Sequence, residues 1–336
     1  MARFTADPMA ALVCTRYGAP DLLKFSHVPR PAPRHNEVLV QVVASSITSG
    51  DRRIRSMNMP PGFGTLGRLA LGWSGPRNPV LGAEFSGVVR AVGDRVHKFA
   101  PGDAVFGISG FRMGGHAEYV CLPHHGALAH KPGNLSFEDA AALSFGGTTA
   151  LSFLGRAALA PGETILVNGA SGNVGLAAVQ LARLLGSEVT GVCSTAHLEQ
   201  VHSLGAVRVI DYTREDFTSL DQRFDVVFDV ACNLSVAQCL TVLKPGGRLI
   251  RIQAGLAEMC RALLQPRRGG LRVLAGTAQE RSGDLEQLAD WVRQGLYRAV
   301  VARVFPFAQA IEAHRFADLP GRGGSVVMRM QSPASS

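Results

Sequence analysis

A glycine-rich run near the centre of the sequence has the residue types and the spacing that bind phosphate. Three glycines stand three residues apart in GASGNVG (169–175), directly after the apolar run 165–168. In a strand-turn-helix unit, glycines allow the backbone to approach a diphosphate, and the helix's first amides stabilise negative charge. The run predicts a dinucleotide site; the alternative is a turn that serves only strand–helix packing. The residues assigned to this site are Gly169, Ser171, Gly172, Asn173, Val174 and Gly175.

The residues about twenty positions further on bear on which nicotinamide coenzyme binds. Sites that prefer NAD place an Asp or Glu there against the ribose 2′-hydroxyl, whereas this chain has Ser194 and Thr195 followed by His197. Two hydroxyls and an imidazole leave room for a 2′-phosphate and supply donors to it, so the sequence predicts NADPH. Tyr212, after the third strand, is a candidate to close over the adenosine phosphate. The alternatives are an ordinary exposed histidine and a tyrosine that caps the sheet.

The sequence has two regions with different patterns of hydrophobic residues, and the elements of these regions must position the candidate site. Before residue 130, short alternating or β-branched runs are separated by Gly, Pro and Asp turns, which predicts a β-rich domain. After it, apolar strands alternate with helical patterns, which predicts an α/β domain with a parallel sheet covered on both faces. The last forty residues change pattern again and are expected to return to the first domain. The predicted boundaries are 1–130, 131–298 and 299–336.

Composition narrows the class of protein. The formal charge of +8 comes largely from dispersed arginines, whereas a nucleic-acid surface would cluster them, so no nucleic-acid partner is expected. No signal peptide and no run of eighteen apolar residues is present, and the six cysteines form no C-x-x-C pair. The sequence thus predicts a cytoplasmic protein with reduced thiols and no membrane span.

A second class of function has to be weighed. FDVVFDV and LTVLKPGGRLI also resemble strands of S-adenosylmethionine-dependent methyltransferases, which share the parallel sheet. Three glycines at spacing three suit a diphosphate better, and a β-rich domain precedes them. If the chain binds a dinucleotide, the segment 244–247 is expected to be only the turn between a helix and the fifth strand.

Taken together, these segments resemble the medium-chain dehydrogenase/reductase superfamily, and within it the zinc-free quinone oxidoreductase-like branch. The resemblance covers nearly all of residues 9–330 and is carried by EVLVQVVASSITSGD, PVLGAE, PGDAVF, GGHAEYV, GGTTAL, the glycine turn, LGAVRVIDY and EAHRF. It implies a GroES-like β-rich domain packed on a doubly wound Rossmann domain, with the active cleft between them. It also implies hydride transfer from NADPH to a quinone or an α,β-unsaturated carbonyl, and a homodimer.

The zinc ligands of the superfamily's alcohol dehydrogenases are not retained. Where those enzymes carry a Cys and a Gly-His-Glu, this chain has Thr48 and Ala83, with only Glu84 remaining. A hydroxyl and a methyl group cannot replace thiolate and imidazole on zinc, so we expect no metal. Hydride delivery to an already electrophilic substrate does not require a Lewis acid.

The resemblance also suggests which residues line the nicotinamide pocket. Thr48 and Asp51 are the candidate catalytic residues, Thr48 as a donor to the substrate oxygen with solvent as the proton source. The alternative for Asp51 is a buried carboxylate that fixes its loop. Thr149 in GGTTAL is expected to touch the nicotinamide or its phosphate. Arg322 stands where members of the family often have a lysine near the cofactor.

Other features leave more than one interpretation open. The loop Met57–Pro79 is rich in Met, Phe, Leu and Gly, which favours a lid over an apolar substrate or a surface for a membrane or partner. His116 and His314 are expected to be structural. Crystallin-like members of the branch suggest a further alternative, a non-catalytic protein in which NADPH serves stability.

Overall fold

The computed structural model describes residues 3–259, 270 and 272–330. Its centre is a six-stranded parallel sheet in the order β10-β9-β8-β11-β12-β13. The strands form here because their apolar runs are covered on both faces: Ile165, Leu166 and Val167 in β8 are fully buried. The predicted doubly wound α/β fold is confirmed. The strands are β8 (Thr164–Asn168), β9 (Glu188–Cys193), β10 (Arg208–Asp211), β11 (Phe224–Asp229), β12 (Leu243–Arg251) and β13 (Arg272–Ala275).

The β-rich part of the chain contains a seven-stranded sheet and a separate hairpin. The sheet has the order β14-β15-β3-β4-β5-β7, with β6 paired to β3, and β1 pairs with β2. Strand β15 lies antiparallel to β3, with Val326 opposite Ile47, so the end of the chain returns to this sheet. The strands are β1 (Arg3–Val13), β2 (Lys24–Ala32), β3 (Glu37–Ile47), β4 (Glu84–Val92), β5 (Ala104–Ile108), β6 (Tyr119–Pro123), β7 (Leu128–His130), β14 (Val301–Pro306) and β15 (Ser325–Arg329).

Nine α-helices with defined bounds connect and cover the sheets in the described ranges. They are α1 (Ser49–Ser56), α2 (Gly64–Leu71), α3 (Phe137–Ala141), α4 (Ser144–Ala157), α5 (Asn173–Leu184), α6 (Leu198–Ser203), α7 (Val236–Thr241), α8 (Ser282–Arg293) and α9 (Ala310–Asp318). Helix α5 is buried on all sides from Val174 to Ala182, as expected of a helix in which nearly every residue is apolar. It packs beside α4.

One local prediction differs from the structure. Strand β12 begins at Leu243, so the segment 244–247 lies within the strand rather than before it. The register against β11 shifts there, because Phe224 faces Leu243 whereas Val226 faces Arg248. Helix α9 is preceded by a short 3-10 turn, Phe307–Gln309.

None of the helices in the described ranges is long and apolar enough to cross a bilayer. The five cysteines within those ranges are free thiols; Cys260 lies outside the described residues.

Candidate functional site

The predicted glycine turn joins β8 to α5, and two of its glycines are required by geometry. Gly169 has a φ of +83°, which favours glycine. A Cβ on Gly175 would lie 2.1 Å from the Gly169 carbonyl oxygen, so only glycine lets the helix start so close to the strand. Gly172 caps the helix without a side-chain cap. The turn therefore brings backbone, rather than side chains, to the edge of the sheet.

A cavity of about 380 Å³ opens in front of this turn. On one side lie Ser171, Gly172 and Ala231, and on the other the segment 318–324 and Arg52. No acceptor in the described part of the chain bonds to the amides of residues 173–175, the first three of α5. Because β8 and β11 are neighbours from which the strand order diverges, the cavity lies where doubly wound sheets bind ligands.

Two arginines line this cavity together with Asp318, which forms an ion pair with Arg52. Arg52 Nε donates to Asp318 Oδ1 at 2.9 Å, which fixes the guanidinium beside the cavity. Arg322 also lines it and donates to the Leu319 carbonyl at 2.6 Å. Burial lowers the pKa of Arg322 to about 10, so the side chain stays charged at neutral pH. The residues present thus fit a diphosphate. Of the two arginines, only Arg322 was expected from the sequence.

The four residues predicted to select the coenzyme lie near the ends of β9 and β10, and the side chains of two of them already have hydrogen-bond partners in the protein. The hydroxyl of Thr195 donates to Asp211, and His197 Nε2 lies 2.8 Å from the Gly321 carbonyl. Ser194 is half-buried, and Tyr212 is 59% exposed. The Thr195 hydroxyl is the largest influence that lowers the pKa of Asp211. Asp211 was not anticipated, because it comes from the next strand.

Both oxygens of the Asp211 carboxylate already accept hydrogen bonds from neighbouring residues. Oδ1 accepts from the amide and the hydroxyl of Thr213, at 3.0 and 2.7 Å, and Oδ2 accepts from Thr195. The guanidinium of Arg214 lies 3.6 Å from Oδ2. This carboxylate is therefore saturated within the protein and paired with a cation, unlike an acidic residue that accepts from a ribose.

Thr48 and Asp51 form a capping box at the start of α1. The Thr48 hydroxyl donates to Asp51 Oδ2 at 2.6 Å, and the Thr48 amide donates to the same oxygen at 2.8 Å. Asp51 Oδ1 accepts from the amides of Gly82 and Ala83 at 2.8 and 3.2 Å. Four donors on one fully buried carboxylate suit a residue that fixes the loop. The Thr48 proton is used in the same network.

The residues at the former zinc-ligand positions do not form a metal site. Ala83 has no ligating atom, and the Thr48 hydroxyl is bonded to Asp51. Glu84 is fully buried: its carboxylate accepts from the Ser46 hydroxyl, and its Oε1 accepts from the Phe145 amide at 2.7 Å. Within the described ranges, no three His, Cys, Asp or Glu side chains are grouped as metal ligands. These residues do not fit a tetrahedral zinc.

Glu84, at the start of β4 in the β-rich sheet, bonds instead to helix α4. Phe145 belongs to α4, so the Glu84 carboxylate binds the N-terminus of a helix that packs on the Rossmann side. Burial raises the pKa of Glu84 to about 8, against the opposing effect of Ser46. One turn further along α4, Thr149 retains 8% exposure, whereas the buried Thr148 turns its hydroxyl back to the Ser144 carbonyl. Glu84 therefore helps to position the helix that carries Thr149.

The histidines form a buried structural pair. The rings of His116 and His314 meet edge to face at 5.3 Å, and both side chains are fully buried. Arg55 lies 3.4 Å from His314 Nδ1. Burial lowers the pKa of both histidines, so the rings are neutral at physiological pH. They pack behind α1 and support it.

One end of the loop Met57–Pro79 reaches the other domain. The Leu256 amide donates to the Pro61 carbonyl at 2.9 Å, and Gly62 packs on the Leu256 side chain. The remainder includes α2, where Leu66 and Leu69 are exposed, followed by the exposed Trp73. The loop thus contacts the segment after β12 near its start, and further along it returns to its own domain, where the Gly72 carbonyl accepts from the Tyr17 hydroxyl at 2.8 Å.

Comparison with known proteins shows which family the chain belongs to. Residues 34–133 match the alcohol dehydrogenase GroES-like domain, and residues 204–328 match the zinc-binding dehydrogenase family. The quinone oxidoreductase of Lama guanicoe is 30% identical, over 96% of this chain and 98% of that protein. The chloroplastic NADPH-dependent alkenal/one oxidoreductase of Arabidopsis thaliana is 31% identical, over 95% of this chain and 79% of that protein.

A solved structure has the same fold along almost the whole chain. The structure of the quinone oxidoreductase from Coxiella burnetii has a TM-score of 0.85 and 29% sequence identity, and the match covers 97% of this chain and 100% of that one. The predicted GroES-like domain is confirmed by the family match over residues 34–133. The chain belongs to the medium-chain dehydrogenase/reductase superfamily, in its quinone oxidoreductase-like branch.

Proposed function

We propose that the protein is a zinc-independent, NADPH-dependent oxidoreductase that reduces a quinone or an α,β-unsaturated carbonyl. The observation that carries this proposal is the cavity in which the glycine turn faces Arg52 and Arg322. Free helix amides and small residues on one wall, facing two cations on the other, suit a dinucleotide diphosphate. The named relatives, a quinone oxidoreductase and an alkenal/one oxidoreductase, support the substrate class.

When bound, the nicotinamide supplies a hydride, so that an enone gains two electrons and one hydrogen at its β-carbon and a solvent proton completes the reduction. The protein's own task is then to hold, orient and exclude water. The Asp51–Thr48 capping box fixes the start of α1, and Glu84 fixes α4. Thr48 and Asp51 were predicted to be catalytic; their mutual bonds favour a positioning role for both.

The preference for NADPH rests on the end of β9. Ser194 and Thr195 leave this edge without an acceptor that is free for a ribose, because Asp211 is saturated by Thr195 and Thr213. Arg214, which is largely exposed, adds a cation beside Asp211. A 2′-phosphate would meet hydroxyls and a guanidinium, so we expect NADPH to bind more tightly than NADH.

Titration calorimetry with each reduced coenzyme, followed by coenzyme oxidation with simple quinones and enones, tests the proposal. We expect NADPH to bind at least about tenfold more tightly than NADH, which is about 1.4 kcal/mol, and to be oxidised by at least one substrate. Specificity constants that favour NADH tenfold would refute the coenzyme assignment. Stoichiometric zinc in the purified protein, or activity lost to a chelator, would refute the metal-free assignment.

A non-catalytic role is the second candidate, and the same assay separates it. A protein that binds NADPH but oxidises none across a panel of quinones and enones would be a binding protein. The methyltransferase alternative is not supported, because the chain belongs to a dehydrogenase superfamily. The cytoplasmic location and the homodimer stay predictions from the sequence, to be tested by fractionation and light scattering.

A further inference from the structure

The β-rich domain contains a second cavity, which is larger than the one at the glycine turn. Its volume is about 850 Å³, within the range of small-molecule sites. Its lining comes from the hairpin β1–β2, the start of β3, α1, the segment 70–80 and the chain from Phe111 into β6. Every lining residue lies within 9–121, and none of them also lines the cavity at the glycine turn. The second cavity is therefore separate from the coenzyme site and from the Rossmann sheet.

Apolar side chains line the buried part of this cavity. Five of them are almost fully buried: Met9, Ile54, Val80, Met113 and Val120. Two of the five are methionines, whose flexible side chains adapt to ligands of different shape. Removing an alkyl chain from water against such a surface is favourable, by an amount that grows with each methylene group. The interior therefore suits a long apolar group better than a compact polar one.

Three arginines, Arg34, Arg77 and Arg112, line the cavity where it opens to solvent, and we call this part its mouth. Of the described residues in the lining, only Glu37 is acidic. Its Oε1 lies 3.8 Å from Arg112 Nη1, and its Oε2 accepts from the Arg34 amide at 3.1 Å. No carboxylate in the described ranges forms an ion pair with the guanidinium of Arg34 or Arg77. Three guanidinium groups against one carboxylate leave the mouth with an excess of two positive charges.

Contacts within the protein hold the lining segments together. The Asn78 side chain donates to the Arg112 carbonyl at 2.7 Å and accepts from the Val80 amide at 3.2 Å, which joins the loop to the turn that precedes β6. The guanidinium of Arg30 lies over the ring of Tyr119, 3.9 Å from its centre, so β2 is held against β6. The walls are thus positioned by the protein itself, as in most small-molecule sites.

We propose that this cavity binds a free long-chain carboxylate, with the alkyl chain in the apolar interior and the carboxylate at the mouth. A guanidinium binds a carboxylate through two parallel N–H bonds, and Arg77 uses one of its five N–H groups for the Leu69 carbonyl, at 2.9 Å. A neutral chain would leave the charge of the mouth uncompensated, a cationic one would be repelled, and inorganic phosphate would leave the interior unfilled. Binding here needs neither coenzyme nor hydride, so the inference is independent of the proposed function.

Laurate, titrated below its critical micelle concentration and followed by calorimetry, tests the proposal. We expect saturable binding of one laurate per chain. Dodecyltrimethylammonium has a similar chain and the opposite charge, so it should bind at least about tenfold more weakly. Equal affinity for the two would contradict a role of the arginines.

Two double variants test the mouth. Arg34→Gln combined with Arg77→Gln should weaken laurate binding by about 5-fold to 30-fold, the effect of losing two exposed ion pairs. Arg16→Gln combined with Arg95→Gln is the control, because Arg16 and Arg95 are exposed, line neither cavity and carry the same charge. The control should bind laurate with the wild-type Kd.

Two substitutions in α2 test the interior. Ala70 is exposed and lines the cavity, so Ala70→Trp should fill part of it without disturbing the buried core. Laurate binding should then weaken by about tenfold or more. Thr65→Trp is the matched control, since Thr65 is exposed on the same helix but lines neither cavity. Each variant should keep the wild-type Tm and the wild-type Kd for NADPH.

Four outcomes would overturn the inference. The first is that the folded wild-type protein shows no saturable binding of laurate, and the second is an affinity that neither the arginine pair nor Ala70→Trp changes. Displacement of laurate by saturating NADPH would place the carboxylate in the coenzyme cleft instead. Sedimentation with phosphatidylglycerol vesicles, without binding of laurate, would assign the mouth to a membrane surface. None of these measurements involves turnover, so a failure of the proposed function is seen separately, in the coenzyme oxidation assay.

Discussion

Alanine substitutions at two glycines of the turn should separate cofactor binding from folding. A Cβ on Gly172 would lie 3.5 Å from its nearest neighbour, the Gly169 carbonyl oxygen, whereas on Gly175 it would lie 2.1 Å from the same atom. The φ of Gly172 is −78°, which any residue adopts. We therefore expect Gly172→Ala to fold normally and Gly175→Ala to distort the turn.

The magnitudes follow from these distances. Alanine is a poorer helix cap than glycine, by up to about 1 kcal/mol, but Gly→Ala restricts the unfolded chain by about 0.4–1 kcal/mol. The net effect of Gly172→Ala on stability is thus near zero. Its methyl group enters the cavity at the diphosphate position, which should weaken NADPH binding by about tenfold or more. Gly175→Ala should cost about 1–3 kcal/mol of folding free energy, because backbone must move.

Calorimetry gives the Kd of NADPH, and urea unfolding gives the folding free energy. Gly155→Ala is a matched control: a Cβ there meets nothing within 4 Å, and Gly155 lies within α4, so stability should rise by about 0.5–1 kcal/mol with unchanged affinity. If Gly172→Ala binds NADPH with the wild-type Kd, the glycine turn does not hold the diphosphate.

Three further predictions concern pH, an ion pair and the loop. Because burial raises the pKa of Glu84 to about 8 from 4.5, its contribution to stability is present near pH 4.5 and is lost as the pH rises to 8; Glu84→Gln should flatten this slope in urea unfolding, and an unchanged slope would refute it. Asp318→Asn leaves the buried Arg55 without its charged partner and should lower stability by about 1–2 kcal/mol; a wild-type unfolding midpoint would contradict this. Replacing residues 63–75 with a short linker should raise KM for hydrophobic enones without changing the Kd of NADPH, and an unchanged KM would argue against a lid.

The fold and the glycine turn could be predicted because their signals are local. The turn is contiguous in sequence, and alternation of buried strands with helices identifies the parallel sheet by itself. The pairing of β15 with β3 was indicated only by a change of pattern near the C-terminus.

Contacts between distant segments could not be predicted in the same way. Nothing near Thr195 in the sequence shows that Asp211, from the neighbouring strand β10, accepts its proton. Likewise, Arg52 lines the cavity at the glycine turn, where Asp318, at the end of α9, accepts its hydrogen bond. The capping box of Thr48 and Asp51 has the spacing of a helix start, and that signal was available in the sequence.

The position of β15 has a consequence for the order in which the protein is made and folds. Ile47 pairs with Val326, so the N-terminal sheet is incomplete until about 280 further residues have left the ribosome. At about 5–20 residues per second, that takes roughly 15 to 60 seconds. The Rossmann sheet, whose strands are contiguous in the chain, can form during this interval. Residues 44–47 of β3 stay unpaired on that side throughout, whereas residues 37–41 can already pair with β6, so the end of β3 is the exposed strand edge that a chaperone would shield.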